Sequence, residues 1–345
     1  MITEDLNKLF DSWIEPNGPV ALHLKQKLLP VEGEGGVIFP PTYANIGYNI
    51  DTLSDGTKVA TIDSVGSQAN RIEPLFKLPE YAALVPQIEI EYGDGHKVSI
   101  FEVGHRLGDA LIRSTNLKDE AQQAFKTLLD TGNAHAIAKL APTSLVFGVW
   151  DSRDTQAKLP RLVQSVIRAW DVNELTRAAQ YNPALDYAAL EVFSTEDKAK
   201  AEGNSSNPLA QRGFVHVPSG KTHGGIISNR IEQDITVNLV ALRQIRAGSN
   251  EETKKLRRYL LGLSLVAATA PLDGFLRQGC LLTPAPNSPA SWKLVNRNGQ
   301  RDDCSLTHEH AKTYAEAKAK EFVVGEEKSV RFDKKLAKDD AKKKA

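Results

Sequence analysis

The chain has 345 residues, 41% of them hydrophobic, enough to bury a sizeable core in one large elaborated domain or two small ones. Its 43 Lys and Arg balance 43 Asp and Glu, and a zero net charge counts against a protein coated uniformly by nucleic acid, so a polyanion would have to follow a local basic track. Only Cys280 and Cys304 are present, which excludes a disulfide framework and fits a reducing cytoplasm. No secretory leader pattern opens the sequence, and its longest apolar run, near Tyr259 to Ala270, falls short of the roughly 20 residues a membrane span needs.

In chain order, Leu6, Leu9, Phe10 and Trp13 recur at helical spacing, and Gly33, Gly35 and Gly36 mark a loop before Val37-Ile38-Phe39. From Asp63 to Glu73 the spacing of Val65, Ala69, Ile72 and Phe76 predicts a helix capped by Asp63 or Ser64 and ended by Pro74, with Ser64, Gln68 and Arg71 on one polar face. Such a face suits a phosphodiester and bases, or is a solvated surface. Ile88 to Tyr92 alternates and turns at Gly93-Asp94-Gly95 into a second strand ending near Phe101. A helix is expected over Asp119 to Leu129 and a central strand over Leu145 to Trp150. Arg161 to Trp170 fits either period, its β-branched content favouring a strand. Ala199 to Pro208 reads as a polar loop, Phe214 to Val217 and Ile235 to Leu242 as strands, and Glu251 to Ala270 as a long helix. A single domain is expected over 1–325, followed by a charged, disordered tail over 326–345.

Some motifs fail on chemistry. Gly220-Lys221-Thr222 resembles the end of a phosphate-binding loop, but Gly213 lies seven positions before Gly220 where five are required, and Pro218 removes an N–H. Cys304, His308, His310 and Cys280 lack the paired spacing of a zinc site, so no metal and no cofactor is expected. His105, His223, Asp109 and Asp151 are the acid/base candidates, and no catalytic triad or carboxylate pair can be read from their spacing. Trp150, Arg153, Lys158 and Arg161 place an aromatic and three cations around one loop, a mixture that suits single-stranded nucleic acid, although Trp150 fits the core equally well.

Five blocks follow one another in order: Asp63 to Glu73, Gly104 to Ser114, Ala141 to Ser152, Leu159 to Ala169, and His223-Gly224-Gly225-Ile226. Together with Phe39-Pro40-Pro41-Thr42-Tyr43, they resemble, from about position 30 to about 260, the RAMP-type backbone subunit of the type I-G (formerly I-U) CRISPR Cascade complex, in the Cas-seven superfamily. The resemblance implies an α+β fold with an RRM-like, ferredoxin-type palm carrying inserted finger and thumb elements. It further implies a cytoplasmic RNA-binding protein without chemistry of its own, stacked in several copies along a CRISPR guide RNA beside other Cascade subunits, meeting target DNA through the guide and no membrane. The residues assigned to guide contact on that basis are Ser67, Gln68, Asn70 and Arg71, with Arg106, Arg113, Arg161, Arg168, His223 and Arg230 on phosphates. The alternative is a RAMP-family endoribonuclease centred on His105 or His223. An acidic stretch (Glu80, Glu89, Glu91, Asp94, Glu102) and a basic one (Arg212 to Arg258) would permit head-to-tail stacking and an RNA track.

Overall fold

The computed structural model describes residues 2–271 and 273–342, without the side chains of 2–5 and 218–222. Its centre is a curled antiparallel sheet. Four strands form the heart of it: β1 (Ala21–Pro30), β2 (Lys58–Asp63), β3 (Val163–Trp170) and β4 (Arg230–Asn238). The order across the sheet is Phe275–Arg277, Cys280–Pro284, β1, β4, β3, β2, Ile50–Thr52. Ser291–Val295 shares the outer edge of β1 with Cys280–Pro284 and continues to Arg301–Cys304.

Burial alternates along β1, so that Leu22, Leu24, Gln26 and Leu28 face the core while His23, Lys25 and Lys27 face out. The inward face carries α3 (Asn250–Thr269), started by Ser249, which accepts from Glu252 N. That helix is buried almost continuously from Tyr259 to Ala268 because it lies between the sheet and α4 (His308–Phe322), and this explains its nearly all-apolar second half. The amphipathic α1 (Ile2–Trp13) closes the layer with Phe10 and Trp13. Beyond the helices, Ile38, Tyr48, Ile226, Leu276 and Leu282 cover the rest of the face in a second apolar cluster.

Strands β3 and β4 are neighbours in the sheet, yet 59 residues separate them. Only Asp171 (φ +57) and Val172 intervene before Asn173–Tyr181, which pairs with Val217–Ile227 as a long hairpin, the arm. At its far end, residues 182–216 hold the helices Thr195–Ala201 and Pro208–Gln211 around a small cluster of Ala201, Ala210 and Val215.

Several expectations need correction. Leu145 to Trp150 is not a strand: Thr143–Val146 is a helical turn, and only Val149–Trp150 pairs, with Lys158–Leu159, because a buried apolar run has no period to distinguish the two. Ile235 to Leu242 spans the end of β4 and the helix Leu239–Gln244, which Asn238 caps by accepting from Ala241 N. Part of the expected loop Ala199 to Pro208 belongs to the helix Thr195–Ala201. Within the expected tail, Lys328–Arg331 pairs in parallel with Ile88–Tyr92, and Lys334–Ala341 is a helix started by Asp333. Residues 343–345 lie outside the described residues. Both charged stretches are partly consumed internally, since Glu89 pairs with Lys97, Glu91 with Arg331 and Glu102 with Lys77, while Arg258 pairs with Asp11 and Arg243 and Arg257 donate to backbone carbonyls. Gly220-Lys221-Thr222 lies within a strand, not at a strand-to-helix turn. Among the described residues, no helix is long and apolar enough to cross a membrane.

Candidate nucleic-acid interface

Helix α2 (Val65–Ile72) organises the site. Ser64 caps it by accepting from Ser67 N at 3.3 Å, its hydroxyl donates to Ser67 Oγ, and the chain passes at Pro74 into a tighter turn. Its inner side is fixed by a buried polar network: Gln68 donates to Asp63 Oδ2 (2.7 Å), and its Oε1 accepts from Ser165 Oγ (2.7 Å) and Gln233 Nε2 (3.1 Å). With Gln68 3% exposed, the shared polar face expected from spacing is split, and this side chain ties the helix to the sheet. Arg71 is likewise engaged, donating to Asp63 Oδ2 (3.0 Å) and to Leu276 O (2.8 Å), which staples α2 to Phe275–Arg277.

Arg106 is also a correction. It is buried, ion-paired with buried Glu73 at 2.6 Å, donates to Gly148 O and lies over the Phe147 ring. Burial raises the Glu73 carboxyl to about 7 against the pull of Arg106. Arg113 is buried too, held by Asp340 (3.1 Å), Asp154 (3.7 Å) and Gly108 O, so the tail covers it. Neither arginine presents a free fork to a phosphate.

What gathers on the outer side of α2 is different. A cleft of about 360 Å³ is lined by His105, Arg106, Trp150, Lys158 and Arg161, and among the described residues no carboxylate lines it. Trp150 is 53% exposed, and Lys158 Nζ sits 5.4 Å from its ring, which settles the choice between core and surface for this side chain. Arg161 crosses the cleft towards the first turn of α2, its Nη2 3.9 Å from where a Cβ on Gly66 would lie. Gly148, at φ +78, permits this: a Cβ there would come 2.9 Å from Arg161 Cγ. Arg161 Nε is buried and finds no acceptor among the described residues. A guanidinium at the positive end of a helix dipole, with Arg106 beneath it, is a cation placed where an anion is favoured. Asn70 is exposed on the same side, its Oδ1 accepting from Arg106 Nη2 at 3.4 Å.

Of the expected contact residues, Asn70 and Arg161 therefore both meet Arg106, which forms the floor, while Ser67 is bonded to the cap Ser64. Arg168 and Arg230 do not join them. They lie on the outward face of the sheet, Arg168 opposite Glu232 and Arg230 over Trp170 at 4.9 Å and beside Glu232 at 3.8 Å. Arg168 lies seven positions beyond Arg161, about 23 Å along extended chain. His223 occupies another hollow at the root of the arm, with its ring 4.7 Å from that of Tyr48. Lys158 and Trp150 were visible in the sequence as an aromatic among cations, whereas Arg277 and Arg177, which line that second hollow, carry no local signal. Of the two histidines weighed for metal, His308 uses both ring nitrogens, with Tyr81 (2.8 Å) and Thr269 (3.0 Å).

No curated protein matches this chain. Among solved structures, a chain described as "CRISPR RNA-guided surveillance complex, pre-nicking" is similar at 10% identity and a TM-score of 0.39, over 93% of this chain and 98% of that one, a likeness too distant to bear on the fold. Residues 22–174, which include all of β1 but Ala21, α2 and the whole lining of the cleft, match the family model described as "CRISPR-associated protein GSU0053".

Proposed function

We propose that this chain is a CRISPR RNA-binding backbone subunit of a type I-G Cascade effector complex, stacking in several copies along the guide and presenting it for pairing with invading DNA. The observation that carries the reading is Arg161, an arginine with a buried donor lacking an acceptor, aimed across a carboxylate-free cleft at a helix N-terminus and flanked by an exposed Trp150 stacked with Lys158. A phosphate seated between Arg161 and α2 would relieve the facing positive charges, and a neighbouring base would stack on Trp150. The match of residues 22–174 to a CRISPR-associated family supports the biological setting. Strand order supports an RRM-like, ferredoxin-type palm. Taking β1, β3, β4 and the Cys280–Pro284 edge as first to fourth, the order is fourth-first-third-second, with helices after the first and third, as in a split βαβ unit. The arm, exposed at nearly every position of Asn173–Tyr181, would be its thumb.

The cleft holds RNA and does not cut it in this reading, since the sugar-phosphate chain would meet fixed cations and an aromatic face, and among the described residues neither His105 nor His223 has a carboxylate bonded to its ring. Filter binding of guide RNA to the wild type, Arg161→Gln and Trp150→Ala tests the proposal. Each substitution is expected to weaken binding by about 1–3 kcal/mol with the melting temperature retained. Affinity should fall with salt on a log-log slope of about 0.7 per phosphate contact. Unchanged affinity in both variants would remove the cleft from the interface.

A further inference from the structure

Away from the cleft, a hollow of about 460 Å³ opens at the root of the arm, within the range of about 300–1,000 Å³ common for small-molecule sites. Phe39, Tyr48, Arg177, His223, Arg277 and Gly279 form its walls, contributed by four segments remote in sequence. The approach of these walls depends on missing side chains: a Cβ on Gly47 (φ +78) would fall 2.2 Å from His223 Cε1, and one on Gly279 (φ +80) would fall 2.9 Å from Phe39. Tyr48 is buried, its hydroxyl accepting from Gly225 N at 3.1 Å. Arg277 donates to Pro40 O at 3.3 Å, and the Arg177 guanidinium stands 5.8 Å from the Phe39 ring centre. Among the described residues, no carboxylate lines the hollow, whose guanidinium groups and imidazole border aromatic faces.

That combination selects against a metal ion, which would need anionic or several neutral ligands, and against a purely apolar ligand. It fits something flat at one end and anionic at the other. We infer that the hollow binds one nucleoside monophosphate unit, with its base against Phe39 and the Tyr48–His223 pair and its phosphate on Arg277 and Arg177. The unit is either a free nucleotide or one residue of a bound strand; the latter source alone rests on the RNA-binding reading of the cleft.

Equilibrium dialysis of the full chain against radiolabelled AMP, with inorganic phosphate as competitor, tests the assignment. AMP should bind saturably and about tenfold more tightly than phosphate, as stacking adds to charge pairing. With the cleft silenced by Arg161→Gln, Phe39→Leu and Arg277→Gln should each weaken AMP about fivefold or more. Arg277 is exposed, so its substitution reports on the hollow even if Phe39→Leu disturbs the fold. Displacement of AMP by an unlabelled single-stranded RNA of about twelve nucleotides identifies a strand residue as the occupant; retention of AMP identifies a free nucleotide. Binding of AMP no tighter than phosphate, or unaffected by Arg277→Gln, overturns the assignment. Because Arg161→Gln reads the cleft and Arg277→Gln the hollow, either site can fail alone.

Discussion

Replacing Arg106 by Met separates a buried structural cation from a phosphate ligand. Arg106 and Glu73 are 4% and 1% exposed and face each other at 2.6 Å, so removing the cation strands a carboxyl that water cannot reach. Losing one partner of a buried pair costs about 3–5 kcal/mol, and Met retains much of the packing against Phe147. The loss should depend on pH. Burial moves the Glu73 carboxyl from 4.5 to about 7, so the folded chain holds this proton more tightly than the unfolded chain, by about 3 kcal/mol. The resulting stabilisation is complete below about pH 4.5 and disappears as pH rises through about 7. Without Arg106 the carboxyl rises further, so Arg106→Met should be mildly destabilising near pH 5.5, where Glu73 is already protonated, and cost about 1–3 kcal/mol more near pH 8.5. Urea unfolding followed by circular dichroism at both pH values measures this, with Glu73→Gln as a control whose stability profile should flatten. Equal losses at both pH values would refute the argument. So would an Arg106→Met chain of native stability that no longer binds RNA, because Arg106 would then be a phosphate contact after all.

Gly148→Ala should cost about 1–2 kcal/mol in stability for its left-handed backbone and, by displacing Arg161, weaken guide binding more than its melting temperature suggests; an RNA affinity equal to wild type would dissociate Gly148 from the site. Arg71→Ala should lower unfolding free energy by about 1.5–3 kcal/mol through the loss of its bonds to Asp63 and Leu276, with a smaller effect on RNA affinity than Arg161→Gln, as urea titration and filter binding would show. His105→Ala and His223→Ala should leave labelled repeat RNA as intact as the wild type does, with or without divalent metal. Discrete cleavage by the wild type that either substitution abolishes would make the chain an endoribonuclease.

Periodic elements were legible in the sequence and relational ones were not. The helix over 250–269 announces itself by a Ser cap and a long apolar stripe, and Ser64 marks the start of α2 correctly. The arm strand Asn173–Tyr181 left no pattern because it has no buried face to impose period two. Arg106, Arg113 and Arg161 are indistinguishable as letters. What separates them is that Glu73 and Asp340 arrive from other parts of the chain to neutralise the first two, while among the described residues nothing of the kind meets Arg161 Nε. Gln68 misled for a related reason: helical spacing places it beside Arg71, but the sheet brings Ser165 and Gln233 to its amide and turns it inward. The Trp150 and Lys158 pair was readable because both members lie on one short loop.

The way the arm leaves the sheet has a mechanical consequence. Between β3 and the arm stand only Asp171 and Val172, and between the arm and β4 only Ser228 and Asn229. The arm, about 55 residues long, thus joins the sheet through four residues, of which Val172, 3% exposed, sits in the second apolar cluster, and its root is held as well by buried Ile226 and by Tyr48, which accepts from Gly225 N. Torque applied at the tip would be absorbed as small torsional changes there, leaving the strand register of the palm untouched. The tip lobe, with its own small cluster, can be lengthened, shortened or exchanged without repacking the main core. If copies of the chain line a strand as proposed, the same arm reaches neighbours at slightly different spacings, and the copies keep in step without being identically placed.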